Sequence, residues 1–459
     1  MGTSSALRVR DLLRNRVAVR ILGVGAATCA LGLANATGAD AKKLERLPVL
    51  FVHGFESAGS NFASQEMRFE SNGYPHTWLD AIDYDSPAAA GNSGEVDKQI
   101  EEAIEALKKA SGKPKVDVIA HSEGTTVVYD YLTEGEKAAE RRASVAAYAN
   151  MDGQETNPGV PTLALWAGRC GDVTCEKPER HMEGAENVTI PDATHVQTST
   201  SAESFQYMYR FFTGKRPHRD IVRQRRTIQL AGKALEFPQN TGDAGSTVQV
   251  WPVNSQGQRI GSSPLAEYSI TSASTGGGEW GPVAAKSGQR YEFALITPGH
   301  TIHAYYEPFV RSDYDVRLLS SVPIETEAGK YPANSGATMI RYKEYWGNQP
   351  GENDELLVNG LNLCTATLCP WEKEVNAFFA FNWEGKDEST LNEEPVLSKL
   401  PFIQAAQVYI PGSEPPTATV AYQLNSRGGG GLRTLNVPDW EGLTNQVEIF
   451  WNDFDTLKF

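Results

Sequence analysis

The sequence predicts an α/β fold, a compact and mostly parallel sheet with helices on both faces, followed by one or two antiparallel β domains of sandwich or barrel type. Three observations predict it. Between residues 47 and 213, short apolar β-branched runs alternate with amphipathic segments, the pattern of strands joined by covering helices. From residue 227 onward, short alternating runs are separated by Gly, Ser, Asn and Pro turns, which is how antiparallel strands are written. Between the two lies a basic stretch over 215–226, with Lys215, Arg216, Arg219, Arg223, Arg225 and Arg226 around Pro217, read as a solvated connector rather than a polyanion patch.

In order, the chain begins with Arg8, Arg10, Arg14, Arg16 and Arg20, then an apolar run over 21–33, then Ala34-Asn35-Ala36. This is the n-region, h-region and small-x-small cleavage pattern of a signal peptide over 1–36, implying a secreted protein. The run is short of the roughly 20 apolar residues a membrane span needs, so stable membrane insertion is not expected. Thr28 before Cys29 is a poor lipoprotein signal. The 459 residues carry a formal charge of −15, which argues against nucleic acid and anionic membrane surfaces as partners. Past the signal stand four cysteines, Cys170 with Cys175 and Cys364 with Cys369. Each pair is expected to close a local disulfide in an exported chain, since this spacing without flanking histidines is poor for zinc. No metal or organic cofactor is implied, and the oligomeric state is left open.

The first domain is expected over 37–214. Residues 48–52 read as a buried strand running into the glycine-rich loop His53-Gly54-Phe55, and 78–84 as a second strand. Residues 95–110 have helical periodicity, with Val96, Ile100, Ala103, Ile104 and Leu107 on one side. Strands follow at 116–121, 144–150, 162–168 and 187–190. The domain closes with a helix over 201–213 that carries Phe205, Met208, Tyr209 and Phe212 on one face. Beyond the connector, β domains are expected over 227–322 and 323–459, with a single larger domain as the alternative.

The chemistry gathers at Ala120-His121-Ser122-Glu123-Gly124. A strand, a tight turn with small neighbours and an immediate helix expose a serine Oγ at a sheet edge; this is a nucleophile elbow with Ala120 in place of its first glycine. A buried strand followed by an N-capping serine is the plainer reading. A nucleophilic serine needs a base and an acid that orients it, following in that fold in the order acid, then histidine. His195 is the one histidine after Ser122 that stands just beyond the last α/β strand and before the closing helix. Asp172, bracketed by Cys170 and Cys175, is the expected acid, with Asp192 as its rival. Backbone N–H donors for an oxyanion are expected from Glu123, after the serine, and Phe55, in the loop after the first strand.

With these elements in place, residues 47–213 resemble a compact bacterial-type lipase or esterase core of the α/β-hydrolase class. The chain order, ending Phe450-Trp451-Asn452-Asp453-Phe454, resembles the long-chain lipase family of the Archaeoglobus type. That resemblance implies a β-rich C-terminal region that helps cover the acyl site, Ser122 as nucleophile, His195 as base, Asp172 as acid, and Phe55 and Glu123 as oxyanion donors. The family usually has an apolar or neutral residue where Glu123 stands, and a carboxylate there could oppose an oxyanion. The expectation is a secreted serine carboxylic ester hydrolase acting through an acyl-enzyme on lipid or other esters. The alternatives are a polyester depolymerase, or a surface-binding or adhesion protein with a vestigial hydrolase domain.

Overall fold

The computed structural model describes residues 46–89, 93–169, 180–320, 335–349, 353–427 and 431–454. The signal peptide expected over 1–36 and the residues Cys170, Asp172 and Cys175, with the disulfide expected between the two cysteines, lie outside the described residues.

The first layer is a six-stranded parallel sheet. Its strands are β1 (Val49–Val52), β2 (Leu79–Ile82), β3 (Val116–His121), β4 (Val145–Met151), β5 (Thr162–Ala167) and β6 (Glu186–Ile190), in the order β2-β1-β3-β4-β5-β6. Strands β1, β3 and β5 are buried at every position, as expected of parallel strands covered on both faces. Helices α1 (Ala63–Ser71), α2 (Ser86–Ala89), α3 (Ser93–Ser111), α4 (Glu123–Thr133), α5 (Ala138–Ser144), α6 (His195–Thr200) and α7 (Ala202–Thr213) supply the cover. The α3 stripe Val96, Ile100, Ala103, Ile104 and Leu107 packs against Leu50, Val52 and Val118 on one face. On the other, the α7 stripe Phe205, Met208, Tyr209 and Phe212 meets Phe51, Ile119 and Leu165. The sheet alternates its side chains between these clusters, as period-two geometry requires.

The connector is not a free tether. Asn72, at the end of α1, accepts from the amides of His218 and Arg219 at 2.8 and 3.2 Å and donates to the Arg219 carbonyl at 2.7 Å. Ile221 is buried beside Met67 and Phe454.

The β-rich part holds β7 (Thr227–Glu236), β8 (Thr241–Gly242), β9 (Thr247–Val253), β10 (Ala266–Ser269), β11 (Glu279–Lys286), β12 (Arg290–Thr297), β13 (His300–Tyr306) and β14 (Asp313–Ser320). After these come β15 (Ala337–Tyr345), β16 (Glu355–Val358), β17 (Leu361–Asn362), β18 (Val375–Phe381), β19 (Ile403–Gln407), β20 (Thr419–Asn425), β21 (Leu432–Pro438) and β22 (Asn445–Phe450). Two four-stranded sheets, β11-β7-β14 with β8 on β7 and β17-β16-β20-β21, accompany an eight-stranded sheet of order β10-β9-β12-β13-β22-β15-β18-β19. That large sheet runs across the boundary expected at 322/323, because β22 pairs in parallel with β13 on one side and β15 on the other. The region is mixed rather than purely antiparallel, since β14 on β7 and β18 on β19 are parallel too. Alternation within strands cannot report this, because strand direction depends on how the connections run.

Cys364 and Cys369 correct the second disulfide expectation: both are buried free thiols. Burial and the neighbouring Cys364 thiol push the Cys369 thiol well above its usual range, and the Gly347 amide donates to Cys364 Sγ at 3.2 Å. Among the described residues no helix is long and apolar enough to cross a membrane.

Candidate active site

The site forms where β3 turns into α4. Ser122 has φ 54° and ψ −127°, a left-handed conformation that costs a non-glycine residue of order 1–3 kcal/mol and recurs at functional turns. Close packing holds it there. A Cβ on Gly124 would run into the His53 carbonyl and stand 2.6 Å from that of Val52, so the first turn of α4 fits only with glycine. A Cβ on Gly54 would stand 2.9 Å from Ser122 Cβ. The Ser122 amide donates to the Met151 carbonyl at 3.0 Å, and its own carbonyl accepts from Thr125 Oγ1 at 2.7 Å. Its Oγ makes no capping bond to α4, unlike the N-cap serine of the plainer reading.

His195 begins α6, in the loop after β6. Its Nδ1–H donates to Asp152 Oδ2 at 2.6 Å, with both side chains buried. His121, the neighbour of Ser122, packs its ring 4.6 Å from that of His195 and donates from Nε2 to the His195 carbonyl at 3.0 Å. Burial, then the nearby His195, pushes the His121 pKa down to about 3, so it is a neutral donor with the proton on Nε2. Serine and imidazole thus stand on adjacent loops at the C-terminal edge of the sheet. No hydrogen bond joins Ser122 Oγ to the ring among the described residues, and contacts of this kind often close only on substrate.

The carboxylate on the ring is Asp152, where sequence reasoning expected Asp172. Asp172 itself lies outside the described residues, and Asp192 is exposed in the turn ahead of α6. Asp152 follows β4 directly, one strand earlier than expected, with φ 54°. Its other oxygen, Oδ1, accepts from the Ala167 amide at 2.9 Å and from Arg180 Nη1 at 3.1 Å. Burial works to raise its pKa, but the bond and charge of His195, the Ala167 amide and Arg180 together hold it below the usual carboxylate range. Arg180 lies 4.4 Å over the Trp166 ring and also bonds Glu155 and the Gly153 carbonyl. The signal in the sequence was Met151-Asp152-Gly153, an acid at the end of the strand beside the elbow strand. A Cβ on Gly153 would stand 2.5 Å from the Ser122 carbonyl, so that tight turn belongs to the same packed centre.

Of the two expected oxyanion donors, Phe55 follows Gly54, which packs against Ser122, and Glu123 is the first residue of α4. Among the described residues neither backbone amide makes a hydrogen bond. The loop that carries Phe55 is held by His53. Its Nδ1–H donates to the Gly54 carbonyl at 2.8 Å, its Nε2 accepts from the Tyr84 amide at 3.2 Å, and its ring stacks on Tyr84 at 4.2 Å. Burial pushes the His53 pKa down to about 4, so this role is that of a neutral brace. Asn240, from the β-rich part, donates to the Ser57 and Tyr84 carbonyls at 2.8 and 2.9 Å. Glu123 is half-buried, and burial raises its pKa above the ordinary value.

Asp83, at the foot of the same loop, receives Arg317 Nη2 at 2.7 Å and Lys233 Nζ at 2.9 Å from the β-rich part, and accepts from the Gly59 amide at 2.7 Å. Among the described residues no group of three or more His, Cys, Asp or Glu side chains could hold a metal ion.

Three stretches of the chain match known families. Residues 46–148, which include the elbow, match the family model of class 2 lipases. Residues 226–323 match the lipase C-terminal domain, and 323–455 match a further C-terminal domain. Among solved structures, lipase B of Aspergillus fumigatus is similar at 11% identity, over 38% of this chain and 54% of that one, with a TM-score of 0.28. This chain thus spans about half the length of that lipase. Phospholipase PlaB of Legionella pneumophila is similar at 9% identity, over 60% and 94% of the two chains, with a TM-score of 0.26. A thermophilic esterase of Thermogutta terrifontis is similar at 13% identity, over 36% and 89%, with a TM-score of 0.25. In series, then, residues 46–148 are similar to class 2 lipases, 226–323 to a lipase C-terminal domain and 323–455 to a further C-terminal domain, the first of these on a parallel sheet covered by helices.

Proposed function

We propose that the protein is an exported serine carboxylic ester hydrolase, a lipase or esterase working through Ser122, His195 and Asp152. The observation that carries the reading is the buried 2.6 Å bond between His195 Nδ1 and Asp152, on loops adjoining a strained serine. With its proton fixed on Nδ1, the imidazole presents a basic Nε2. In the proposed cycle Nε2 takes the Ser122 proton as Oγ adds to the ester carbonyl. The unpartnered amides of Phe55 and Glu123 receive the oxyanion, and collapse of the tetrahedral adduct releases the alcohol with the proton from His195. Water activated by the same Nε2 then releases the acid and restores the serine. Lipids are the favoured ester class; polyesters remain the second, because the covering β-rich region suits either.

The test is hydrolysis of p-nitrophenyl esters from C2 to C16 by the mature chain beside Ser122→Ala. Turnover that vanishes in Ser122→Ala is expected, and a rise with chain length would identify a lipase. Absence of turnover on every ester, together with no labelling by a fluorophosphonate probe, would refute the reading.

A further inference from the structure

The backbone of His195 is held from three directions, and one of them is distant in sequence. On the carbonyl side, His121 Nε2 and Thr198 Oγ1 donate at 3.0 and 2.6 Å. On the helix side, Thr194 and Gln197 form a reciprocal capping box, in which Thr194 Oγ1 accepts from the Gln197 amide at 3.3 Å and Gln197 Oε1 accepts from the Thr194 amide at 3.2 Å. That box leaves the first two amides of α6, those of His195 and Val196, without a local acceptor.

Glu374 supplies it. It lies between Lys373 and β18, is buried, and has φ 49°. Its Oε1 accepts from the His195 amide at 3.2 Å and its Oε2 from the Val196 amide at 3.1 Å. One carboxylate from the 323–455 region thereby closes the cap on the residue that carries the imidazole. Two neighbours make this a docked surface: Glu344 Oε2 accepts from Thr194 Oγ1 at 3.1 Å, and the Phe402 ring lies parallel to that of His195, 20° from coplanar at 6.4 Å. Phe402 is itself held at φ 62°.

We propose that Glu374 is a positioning residue for His195, so that the last third of the chain sets the orientation of the base through two backbone amides. This rests on His195 being the base of the proposed hydrolase. A side chain that acts on the backbone of the base alters how well the imidazole is aimed, and misplacement by about 1 Å costs up to 100-fold in rate. Substrate affinity is expected to owe little to it, because Glu374 is fully buried and bonded to backbone amides.

The experiment compares the wild type with Glu374→Ala, Glu374→Gln and Ser122→Ala on a soluble short-chain p-nitrophenyl ester. Unfolding is followed by circular dichroism, and amide exchange over residues 190–205 by mass spectrometry. In Glu374→Ala, kcat is expected to fall roughly 10- to 100-fold with KM within about twofold, and the 195–196 amides to lose protection. Glu374→Gln keeps the shape but offers one acceptor oxygen to two amides and sets its NH2 against the other, so its kcat is expected to fall as well, by less than in Glu374→Ala. A graded effect on kcat alone is an outcome a merely structural role would not give. A folded Glu374→Ala with wild-type kcat overturns the proposal, as does a loss confined to KM. If Glu374→Ala does not fold, Glu374→Gln with wild-type kcat and wild-type exchange at 195–196 overturns it. Wild-type turnover in Ser122→Ala removes the hydrolase reading and the positioning role with it, an outcome distinct from any of the Glu374 results.

Discussion

Asp152→Asn is the substitution whose effect can be worked out most fully. Both carboxylate oxygens are in use: Oδ2 takes the imidazole Nδ1–H, while Oδ1 takes the Ala167 amide and Arg180. An asparagine has one oxygen and one NH2 to share between these sides. Turning its oxygen to the histidine would set the NH2 against the Ala167 N–H and the Arg180 guanidinium, leaving buried donors unpaired at about 1–3 kcal/mol each. The favoured rotamer keeps the oxygen on Ala167 and Arg180 and aims the NH2 at Nδ1. The imidazole must then carry its proton on Nε2, where it cannot accept from Ser122. A wrong tautomer of this kind costs about 10⁴ in kcat in the serine protease case, about 5.5 kcal/mol of barrier. A fall of about 10³- to 10⁴-fold is expected here, with thermal unfolding little changed because Asn retains the Oδ1 contacts. The assay is steady-state hydrolysis of p-nitrophenyl butyrate beside Asp172→Asn as control. A kcat for Asp152→Asn within tenfold of wild type, or an equal loss in Asp172→Asn, would refute the reasoning.

Three further outcomes are expected. Gly54→Ala places a methyl carbon 2.9 Å from Ser122 Cβ and should lower kcat about 10- to 100-fold with folding retained, checked by initial rates and circular dichroism. Asp83→Asn strips the charge partner from Arg317 and Lys233 at the joint between the first domain and the β-rich part. Breaking a buried pair costs about 3–5 kcal/mol, to be read as a shift in the urea midpoint. Burial acts to raise the Asp83 pKa, but Arg317 and Lys233 hold it well below the ordinary value. Its stabilisation is therefore full above the unfolded carboxyl pKa of about 3.9 and is lost as pH falls through the lower folded value. Acid titration should thus remove more stability from the wild type than from Asp83→Asn, which lacks this titrating group, and a stability difference between the two that stays constant from neutral pH down to about pH 2 would contradict this.

Much of the first domain was legible because parallel strands and their helices carry strong local signals: 48–52, 116–121 and 162–168 read as continuous apolar runs and fold as β1, β3 and β5. The elbow was legible for the same reason, since Gly124 and Ser122 are small or special where packing leaves no choice. Asp152 was not, because an acid is chosen by where a loop ends in space, and the cysteines around Asp172 drew the expectation one strand too far. Glu374 was still less visible: it lies 179 residues from His195 in sequence, and its left-handed backbone has no local signature in Lys373-Glu374-Val375. The mixed direction of the large sheet was hidden likewise, as alternation within β13, β15 and β22 is the same whichever way a neighbour runs.

The placing of β22 has a consequence for how the chain is made. Residues 445–450, synthesised after both of their partners, pair on one side with residues 301–306 and on the other with 338–341. Until they emerge, the sheet that bears β18, and with it the seat of Glu374, has a gap at its centre and two open edges. Sequence-distant parallel pairing of this sort is slow, since the loop must close before any contact rewards it. A truncation before residue 445 therefore leaves those edges open to pairing between molecules. The seat of Glu374 against the His195 amides therefore waits on β22, so a polypeptide lacking residues 445–450 holds the Ser122 turn without a fully braced His195.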